Sequence, residues 1–386
     1  MKLICAGVLL TLSAGLPAQP RPAKVSGLSL AAKTALTAQM NEAVKSGDAP
    51  AIVETVVNRE GIVYEGASGL PANAIFNIAS MTKPVTSVAI MMLAEQGKLK
   101  IDDPVSKYLD FTIPGDDPKN PVTFRHILTH TSGLDGDFGA VAVWSNNAPK
   151  TLDDFVRTSL KVKQPPMTKV EYSNAAFALL AFLVEKISGV PYKQYIKENI
   201  WDPLEMTSTA FDPTPDMDER IAIPYVVDKT SGNQKPAPRI RAAVWPAGIT
   251  YGTVLNQANW LILNLNNGVF KGKRIVSEAT MEQMFTRQFD QFKGGIEGIW
   301  GNETAGFGLT WWVQVRNGER YFAHSGSVSG YTAFLLGNRD RKLGFAIMTN
   351  GNQAHPHLFR LADRAIDLME KYSVGDKASP ATGVKK

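Results

Sequence analysis

The segment Ser80-Met81-Thr82-Lys83 combines a nucleophile and a base at a spacing that could support covalent chemistry. At the start of a helix, residues i and i+3 project from one face, so the Lys83 amine could reach the Ser80 hydroxyl. A serine hydroxyl needs a base beside it to become a good nucleophile. A lysine can be that base where burial and a nearby cation lower its pKa. The pattern is compatible with acyl transfer to Ser80, but taken alone it favours an ordinary helix start, with Ser80 as its cap and Lys83 in solvent.

A tyrosine and an asparagine stand together in Tyr172-Ser173-Asn174, directly before a predicted apolar helix. A tyrosine held between cations can donate or accept a proton near neutral pH. An asparagine amide can hold a substrate carbonyl group. The alternative is that Ser173 or Asn174 caps the helix while Tyr172 packs in the core.

A third polar cluster, His324-Ser325-Gly326, is followed by Ser327 and lies between two predicted strands. A strand edge at this point would offer the Ser327 N–H as a donor to an oxyanion. It would also turn His324 and Ser325 towards a substrate. The alternative is a glycine-rich turn that carries a structural histidine.

Taken in chain order, the three clusters resemble the S-x-x-K, Y-x-N and K/H-[ST]-G motifs of the penicillin-recognising serine hydrolases. That superfamily includes class C β-lactamases, D-alanyl-D-alanine carboxypeptidases, D-aminopeptidases and esterases of the β-lactamase type. The resemblance covers about residues 30–370. It extends to five further segments, at residues 76–84, 128–134, 202–206, 245–248 and 324–350.

The resemblance implies a role for each matching residue. Ser80 resembles the acylated nucleophile and Lys83 its partner base, while Tyr172 resembles the residue that moves protons between nucleophile, leaving group and water. The resemblance also implies a substrate-binding group, made of Asn174, His324, Ser325, Gly326 and Ser327. The oxyanion hole would consist of the Ser80 and Ser327 N–H groups.

One departure from the class C pattern bears on the substrate. Those enzymes usually carry a lysine where this chain has His324, and a histidine is a weaker, pH-dependent anchor for a carboxylate. We therefore expect a serine hydrolase with an acyl-Ser80 intermediate that acts on small carboxylic esters. D-alanyl peptides and β-lactams remain alternative substrates. A non-catalytic penicillin-binding sensor, which would hold an acyl group without turnover, remains an alternative of another class.

Hydrophobic periodicity predicts the elements that must position these residues. Helices are predicted at residues 29–46, 81–96, 175–188 and 358–372. Residues 260–267 are predicted to form the end of another helix. Strands are predicted at residues 52–58, 62–65, 310–315, 320–323, 331–336 and 343–348. Pro84 falls in the first turn of its helix, where a missing N–H does no harm.

The order of these elements predicts an α/β (α+β) fold, with an antiparallel β-sheet flanked by helices and a mostly helical lobe. The resemblance implies the β-lactamase/transpeptidase-like version of this architecture. One catalytic domain is expected over residues 19–372, with the sheet lobe at about 25–100 and 285–372 and the helical lobe at about 101–284. Residues 373–386 are expected to form a disordered tail.

The N-terminal sequence is typical of an export signal. Lys2 precedes an apolar run over residues 3–16 that is too short for an ordinary membrane span, and small residues follow up to Ala18. We expect a signal peptide over residues 1–18 and a periplasmic or secreted protein. Cys5, the only cysteine, lies inside that segment, so the mature protein would have no disulfide and no thiol nucleophile.

Composition and motif searches argue against several other functions. The net charge of +5 comes from 41 Lys and Arg against 36 Asp and Glu without a long basic block, so nucleic-acid binding is not supported. No second long apolar run predicts a stable membrane span. His126 and His130 have helical metal-pair spacing but lack the H-E-x-x-H pattern, and no metal or cofactor is predicted.

Two segments imitate the superfamily motifs. Lys45-Ser46-Gly47 fits the third motif, but it precedes Ser80 and is typical of a helix C-terminus. Residues 145–147, Ser-Asn-Asn, fit the class A form of the second motif, but no E-x-x-x-N accompanies them. The arrangement based on Tyr172 is therefore preferred.

Overall fold

The computed structural model describes residues 25–136, 140–142, 150–227, 233–289, 306–351 and 355–375. Its α-helices are α1 Leu30–Lys45, α2 Lys83–Glu95, α3 Phe124–Leu128, α4 Leu152–Thr158, α5 Asn174–Ser188, α6 Tyr192–Ile196, α7 Pro215–Asp218, α8 Val254–Leu265, α9 Glu278–Phe285 and α10 His355–Tyr372. Short 3₁₀ turns occur at Ala79–Thr82, Val105–Tyr108 and Trp245–Ala247, and a π turn follows α6 at Lys197–Trp201.

The strands fall into one large sheet and several two-stranded pairs. They are β1 Val25–Leu28, β2 Ile52–Val57, β3 Ile62–Ser68, β4 Phe76–Asn77, β5 Leu134–Asp135, β6 Ala140–Ala142, β7 Lys161–Val162, β8 Tyr225–Val227, β9 Gln234–Pro236, β10 Ile240–Ala242, β11 Tyr251–Gly252, β12 Val269–Phe270, β13 Lys273–Arg274, β14 Gly306–Phe307, β15 Trp312–Arg316, β16 Glu319–Val328, β17 Tyr331–Asn338, β18 Leu343–Thr349 and β19 Ser373–Gly375.

The large sheet has seven strands in the order β14-β15-β16-β17-β18-β2-β3, and every neighbouring pair is antiparallel. Strands β2, β17 and β18 are buried along their whole length. Burial of both faces explains why β17 and β18 are mostly apolar instead of alternating, whereas β2 also carries the buried residues Glu54 and Thr55. The expected antiparallel sheet flanked by helices is thereby confirmed.

The two faces of the sheet carry different helices. On one face, Val56 and Phe345 pack with α1 and α10, which contribute Leu36 and Ala362 to the same apolar cluster. On the other face, α8 packs on β2, β17 and β18. Helix α8 lies within residues 101–284, which the sequence assigns to the helical lobe. In the structure this helix packs on the sheet.

Helix α5 is the centre of the helical part and contacts α2, α3, α4 and α6. Residues 175–184 are all buried. Ser173 caps the helix by accepting the Ala176 N–H, and Gly189 ends it with a φ of 76°. A glycine meets this left-handed conformation without a steric penalty. The helix that the sequence predicts from residue 175 therefore begins one residue earlier, at Asn174.

The predicted disordered tail begins too early. Ser373–Gly375 form β19, which pairs with β1 at the opposite end of the described chain. Because this pairing joins segments that are far apart in sequence, local composition could not reveal it. Residues 376–386, and the predicted signal peptide at 1–18, lie outside the described residues.

Across the described part of the chain, no single helix is long and apolar enough to cross a membrane. The bent pair Asn174–Ser188 and Tyr192–Trp201 passes a test of length and composition only, with an angle of 84° between its two parts.

Candidate active site

Ser80 lies in the 3₁₀ turn that leads from β4 into α2. The turn is held from both ends, because Asn77 Oδ1 accepts the Ala79 N–H at 2.8 Å and the Thr82 hydroxyl donates to the Ala79 carbonyl at 2.7 Å. Ala79 has a φ of 48°, a conformation that non-glycine residues rarely adopt. Ser80 is half-buried, whereas the other residues of this turn are buried.

Lys83 occupies the first turn of α2, and Pro84 follows it there as the sequence predicts. Its Nζ lies 3.0 Å from Ser80 Oγ, 2.7 Å from Asn174 Oδ1 and 2.7 Å from the Ala247 carbonyl oxygen. The first and second motifs therefore meet at one nitrogen atom. The third contact of Lys83 Nζ, the Ala247 carbonyl oxygen, comes from the Trp245–Ala247 turn.

The Lys83 amine is fully buried, and burial lowers its pKa well below the ordinary value. Two of its three contacts are carbonyl oxygens, which can only accept hydrogen bonds. A neutral amine that gives its two N–H groups to Asn174 and Ala247 directs its lone pair towards the Ser80 hydroxyl. In its neutral form, Lys83 Nζ is placed to accept the Ser80 hydroxyl proton.

Tyr172 lies just ahead of α5, with Lys83 Nζ 4.6 Å from the centre of its ring and with Ser80 close to its hydroxyl. Although 45% of the residue's surface is exposed, desolvation at the hydroxyl raises the pKa of Tyr172, and the Ser80 contact only partly opposes this. Tyr172 is therefore a protonated phenol at neutral pH. Its resting state is that of a proton donor, and its role in proton transfer stays a prediction.

The third motif lies within β16 and not in a turn between strands, which corrects the predicted strand at residues 320–323. Strand β15 pairs with β16 only as far as Ala323, whereas β17 pairs with it as far as Val328. The remaining part of β16 lies against the 3₁₀ turn of Ser80. The serines and glycine of this segment suggest a loop, but pairing with β17 overrides that local preference.

Gly326 is the point at which β16 approaches the Ser80 turn most closely. A Cβ atom at this position would lie 2.2 Å from the Ile78 carbonyl oxygen and 3.0 Å from the Ser80 nitrogen. Only a residue without a side chain permits that approach. Ser325, half-buried, and Ser327, exposed, follow on either side of Gly326 along the same strand.

His324 is buried, and its ring stacks on Trp312 with centroids 5.2 Å apart. Burial is the main cause that lowers the pKa of His324 to about 3. Its Nδ1 lies 2.7 Å from the Ser325 carbonyl oxygen, so Nδ1 carries the hydrogen and Nε2 the lone pair. The expected weak, pH-dependent carboxylate anchor is therefore wrong in its charge, because the ring is neutral.

Sequence reasoning missed two groups that complete the site. The Ala247 carbonyl oxygen holds Lys83, and the His130 ring stacks on Tyr172 at a centroid distance of 4.3 Å. Ala247 lies in residues 245–248 and His130 in residues 128–134, two segments that resemble the superfamily. That resemblance was the signal in the sequence that could have pointed to both residues. Backbone carbonyl contacts leave no other trace in a sequence.

His126 and His130 both direct a ring nitrogen to the backbone. Helix α3 ends at Leu128, and each histidine uses Nδ1 to accept a backbone N–H, from Thr123 and Ser173 respectively. Among the described residues, no group of three or more His, Cys, Asp or Glu could hold a metal ion.

The two imitations of the motifs lie elsewhere. Lys45 ends α1, and Gly47 follows with a φ of 82°, as expected for a helix C-terminus. Residues 145–147 lie outside the described residues.

The chain is similar, in sequence and in structure, to penicillin-binding proteins. Penicillin-binding protein 4* of Bacillus subtilis (strain 168) is 28% identical over 319 residues, which cover 77% of this chain and 67% of that protein. The octameric penicillin-binding protein homologue from Pyrococcus abyssi superposes with a TM-score of 0.72 at 27% identity, covering 88% of this chain and 79% of the other. The chain spans about half to two thirds of the length of the first curated relatives.

A more distant solved structure shares the fold. The β-lactamase/D-alanine carboxypeptidase from Yersinia pestis has a TM-score of 0.70 at 22% identity, over 88% of this chain and all of the other. The Beta-lactamase family matches residues 35–369, which is most of this sequence and includes all three motifs. The chain therefore belongs to the Beta-lactamase family of serine hydrolases.

Proposed function

We propose that this protein hydrolyses small carboxylic esters through a covalent acyl-Ser80 intermediate. The observation that carries the proposal is the buried Lys83 amine, 3.0 Å from Ser80 Oγ and otherwise in contact with carbonyl oxygens. A neutral amine in this position can remove the serine proton at neutral pH.

Acylation begins when Ser80 Oγ attacks the ester carbonyl carbon and Lys83 Nζ takes the hydroxyl proton. The oxyanion forms against the Ser80 and Ser327 N–H groups, and the approach of Gly326 to the Ser80 nitrogen supports this pairing of donors. As the C–O bond breaks, Tyr172 gives its phenolic proton to the leaving oxygen. Lys83 then carries a positive charge next to the Tyr172 phenolate, which it stabilises.

Deacylation runs the same transfers in reverse, with water in place of the alcohol. Water attacks the acyl carbon and gives its proton to the Tyr172 phenolate, and Ser80 Oγ takes back the proton from Lys83 as the acyl bond breaks. Both groups thus return to their starting protonation states. No additional acid or base is needed for a complete cycle.

The preference for esters rests on His324. A β-lactam or a D-alanyl-D-alanine peptide presents a carboxylate, which a cationic residue would stabilise. Because the pKa of His324 is lowered to about 3, its ring has no charge at neutral pH. A neutral ring supports an uncharged acyl compound as substrate.

The test compares wild type with Ser80→Ala on short-chain p-nitrophenyl esters. We expect the substitution to lower kcat/KM by about 10³-fold or more. Ser46→Ala is the matched control, because Ser46 lies in the imitation of the third motif at the end of α1 and should leave activity unchanged. Equal activity of wild type and Ser80→Ala would refute the proposal.

The other candidate functions are separated by turnover of different substrates. Release of D-alanine from a D-Ala-D-Ala peptide, or opening of a chromogenic cephalosporin, at a higher kcat/KM than any ester would replace the ester assignment. Intact-protein mass after exposure to a penicillin identifies a sensor, which would keep a stable adduct on Ser80 without turning over any substrate.

A further inference from the structure

His130 contacts Tyr172 and the two residues that flank Tyr172 in the chain, Glu171 and Ser173. The Glu171 N–H donates to the His130 carbonyl oxygen at 2.7 Å, and the Ser173 N–H donates to His130 Nδ1 at 3.3 Å. Between these two bonds, the His130 ring stacks on the Tyr172 ring with an interplanar angle of 28°. Backbone and side chain of Tyr172 are thus held by a single residue.

The contacts of His130 with residues 171–173 are called the His130 clamp, and His130 itself is buried. His130 is 1% exposed and packs against Phe177 and Phe307, with centroid distances of 5.1 and 6.2 Å. Its φ of 57° turns the chain back after α3, and the Thr310 N–H holds the preceding Leu128 carbonyl oxygen at 2.6 Å. A non-glycine residue stays in this conformation only where its surroundings impose it.

The hydrogen bond from Ser173 also determines the state of the ring. Nδ1 must carry a lone pair to accept an N–H, so the hydrogen of the neutral ring is on Nε2. Burial is the main cause that lowers the pKa of His130 well below its ordinary value. The ring therefore remains an acceptor at neutral pH.

We propose that His130 is the positioning residue that holds the Tyr172 hydroxyl at the leaving oxygen, and thereby allows cleavage of esters of poorly acidic alcohols. This inference rests on the proposed ester hydrolysis. A phenol can protonate a leaving group only within hydrogen-bond reach. An alkoxide needs that proton in order to leave, whereas p-nitrophenolate is stable enough to leave without it.

The experiment measures kcat/KM, which reports acylation, for an ethyl ester and a p-nitrophenyl ester of the same acid. His130→Asn retains an acceptor and tolerates a positive φ but removes the stacked ring, whereas His130→Phe retains a ring and removes the acceptor. For both variants we expect a loss of about 10-fold or more on the ethyl ester and of less than about 3-fold on the p-nitrophenyl ester.

Two controls separate positioning from folding. His126→Asn changes a nearby histidine that also accepts a backbone N–H but does not contact Tyr172, and it should behave as wild type on both esters. In a Tyr172→Phe background, His130→Asn should cause no further loss on the ethyl ester, because the group that it positions is gone. The thermal midpoint of each variant reports its folding.

Equal losses on the two esters, or full additivity with Tyr172→Phe, would overturn the inference while leaving the ester assignment intact. If wild type hydrolyses no ester, the proposed function fails instead. The positioning role is then tested by hydrogen exchange at the Ser173 amide, where faster exchange in His130→Phe supports the clamp and unchanged exchange refutes it.

Discussion

At the scale of single residues, the site is defined by protonation states that burial imposes. Lys83, His130 and His324 are all buried, and burial is the largest cause of the lowered pKa of each. Desolvation disfavours a charged base, so burial favours the neutral form of each of these three side chains. Tyr172 is affected in the opposite direction, since desolvation raises the pKa of a phenol. Burial therefore favours the neutral amine of Lys83 and the protonated phenol of Tyr172 beside the same serine.

The neutral state of His324 leads to a prediction about substrate charge. We expect the ratio of kcat/KM between a neutral p-nitrophenyl ester and a matched ester bearing a carboxylate to stay constant from pH 5 to pH 8. The physical reason is that a group with a pKa of about 3 is uncharged over that whole range. Steady-state kinetics at several pH values check this.

A preference for the carboxylate ester that grows as pH falls, with a midpoint near the ordinary histidine pKa, would contradict it. His324 would then be a cation at acidic pH and would bind a substrate carboxylate.

At the scale of elements, the site depends on β16 continuing beyond the end of β15. The part of β16 that β15 does not pair with lies against the Ser80 turn, and Gly326 forms the close contact. Local patterns located α1 and α5 within one residue, because caps and apolar periodicity are local signals. They failed for β16 after Ala323, because a strand that contains serine and glycine is stabilised by its partner strand.

We predict that Gly326→Ala lowers kcat/KM by about 10²-fold, the usual effect of disturbing one oxyanion donor. The added Cβ would lie 2.2 Å from the Ile78 carbonyl oxygen, so β16 or the Ser80 turn must shift. Gly61→Ala, in the β2–β3 turn, is the control, because a Cβ there meets no atom within 4 Å. Ester kinetics together with thermal midpoints are the measurement, and unchanged kinetics for Gly326→Ala would contradict the close approach.

At the scale of the whole molecule, the sheet separates the active site from a second buried polar group. Glu54 on β2 is 3% exposed and lies next to Tyr64, whose hydroxyl contacts Thr37 of α1 at 3.0 Å. Burial raises the pKa of Glu54 from 4.5 to about 8. The folded protein therefore keeps a carboxylic acid protonated where the unfolded chain would ionise it.

This difference predicts how stability changes with pH. Between about pH 4.5 and pH 8 the folded state holds a proton on Glu54 that the unfolded state releases, so Glu54 lowers the free energy of unfolding as pH rises. The stability of wild type relative to Glu54→Gln should fall by about 1.4 kcal/mol per pH unit in this window. Urea unfolding of both proteins at pH 5, 6, 7 and 8 provides the measurement. A difference that is independent of pH would show that Glu54 is ionised in the folded protein.

The pairing of β1 with β19 brings the two ends of the described chain together beside α1 and α10. The sequence predicted the helices of this region and placed the end of the domain at residue 372, three residues before β19 ends. Export by a signal peptide stays a prediction, and N-terminal analysis of the protein from fractionated cells would test it.

The sequence by itself determined which reactive groups the protein contains, their order along the chain and the helices that begin or end beside them. Serine, lysine, tyrosine and their spacing are local properties, as are the caps and apolar periodicity that place Ser80 before α2 and Tyr172 before α5. Tertiary structure decided how these groups are charged and which atoms they face. The pKa of Lys83, the tautomer of His324 and the clamp of His130 on Tyr172 each depend on water being excluded by several elements at once, and no single segment of sequence carries that information.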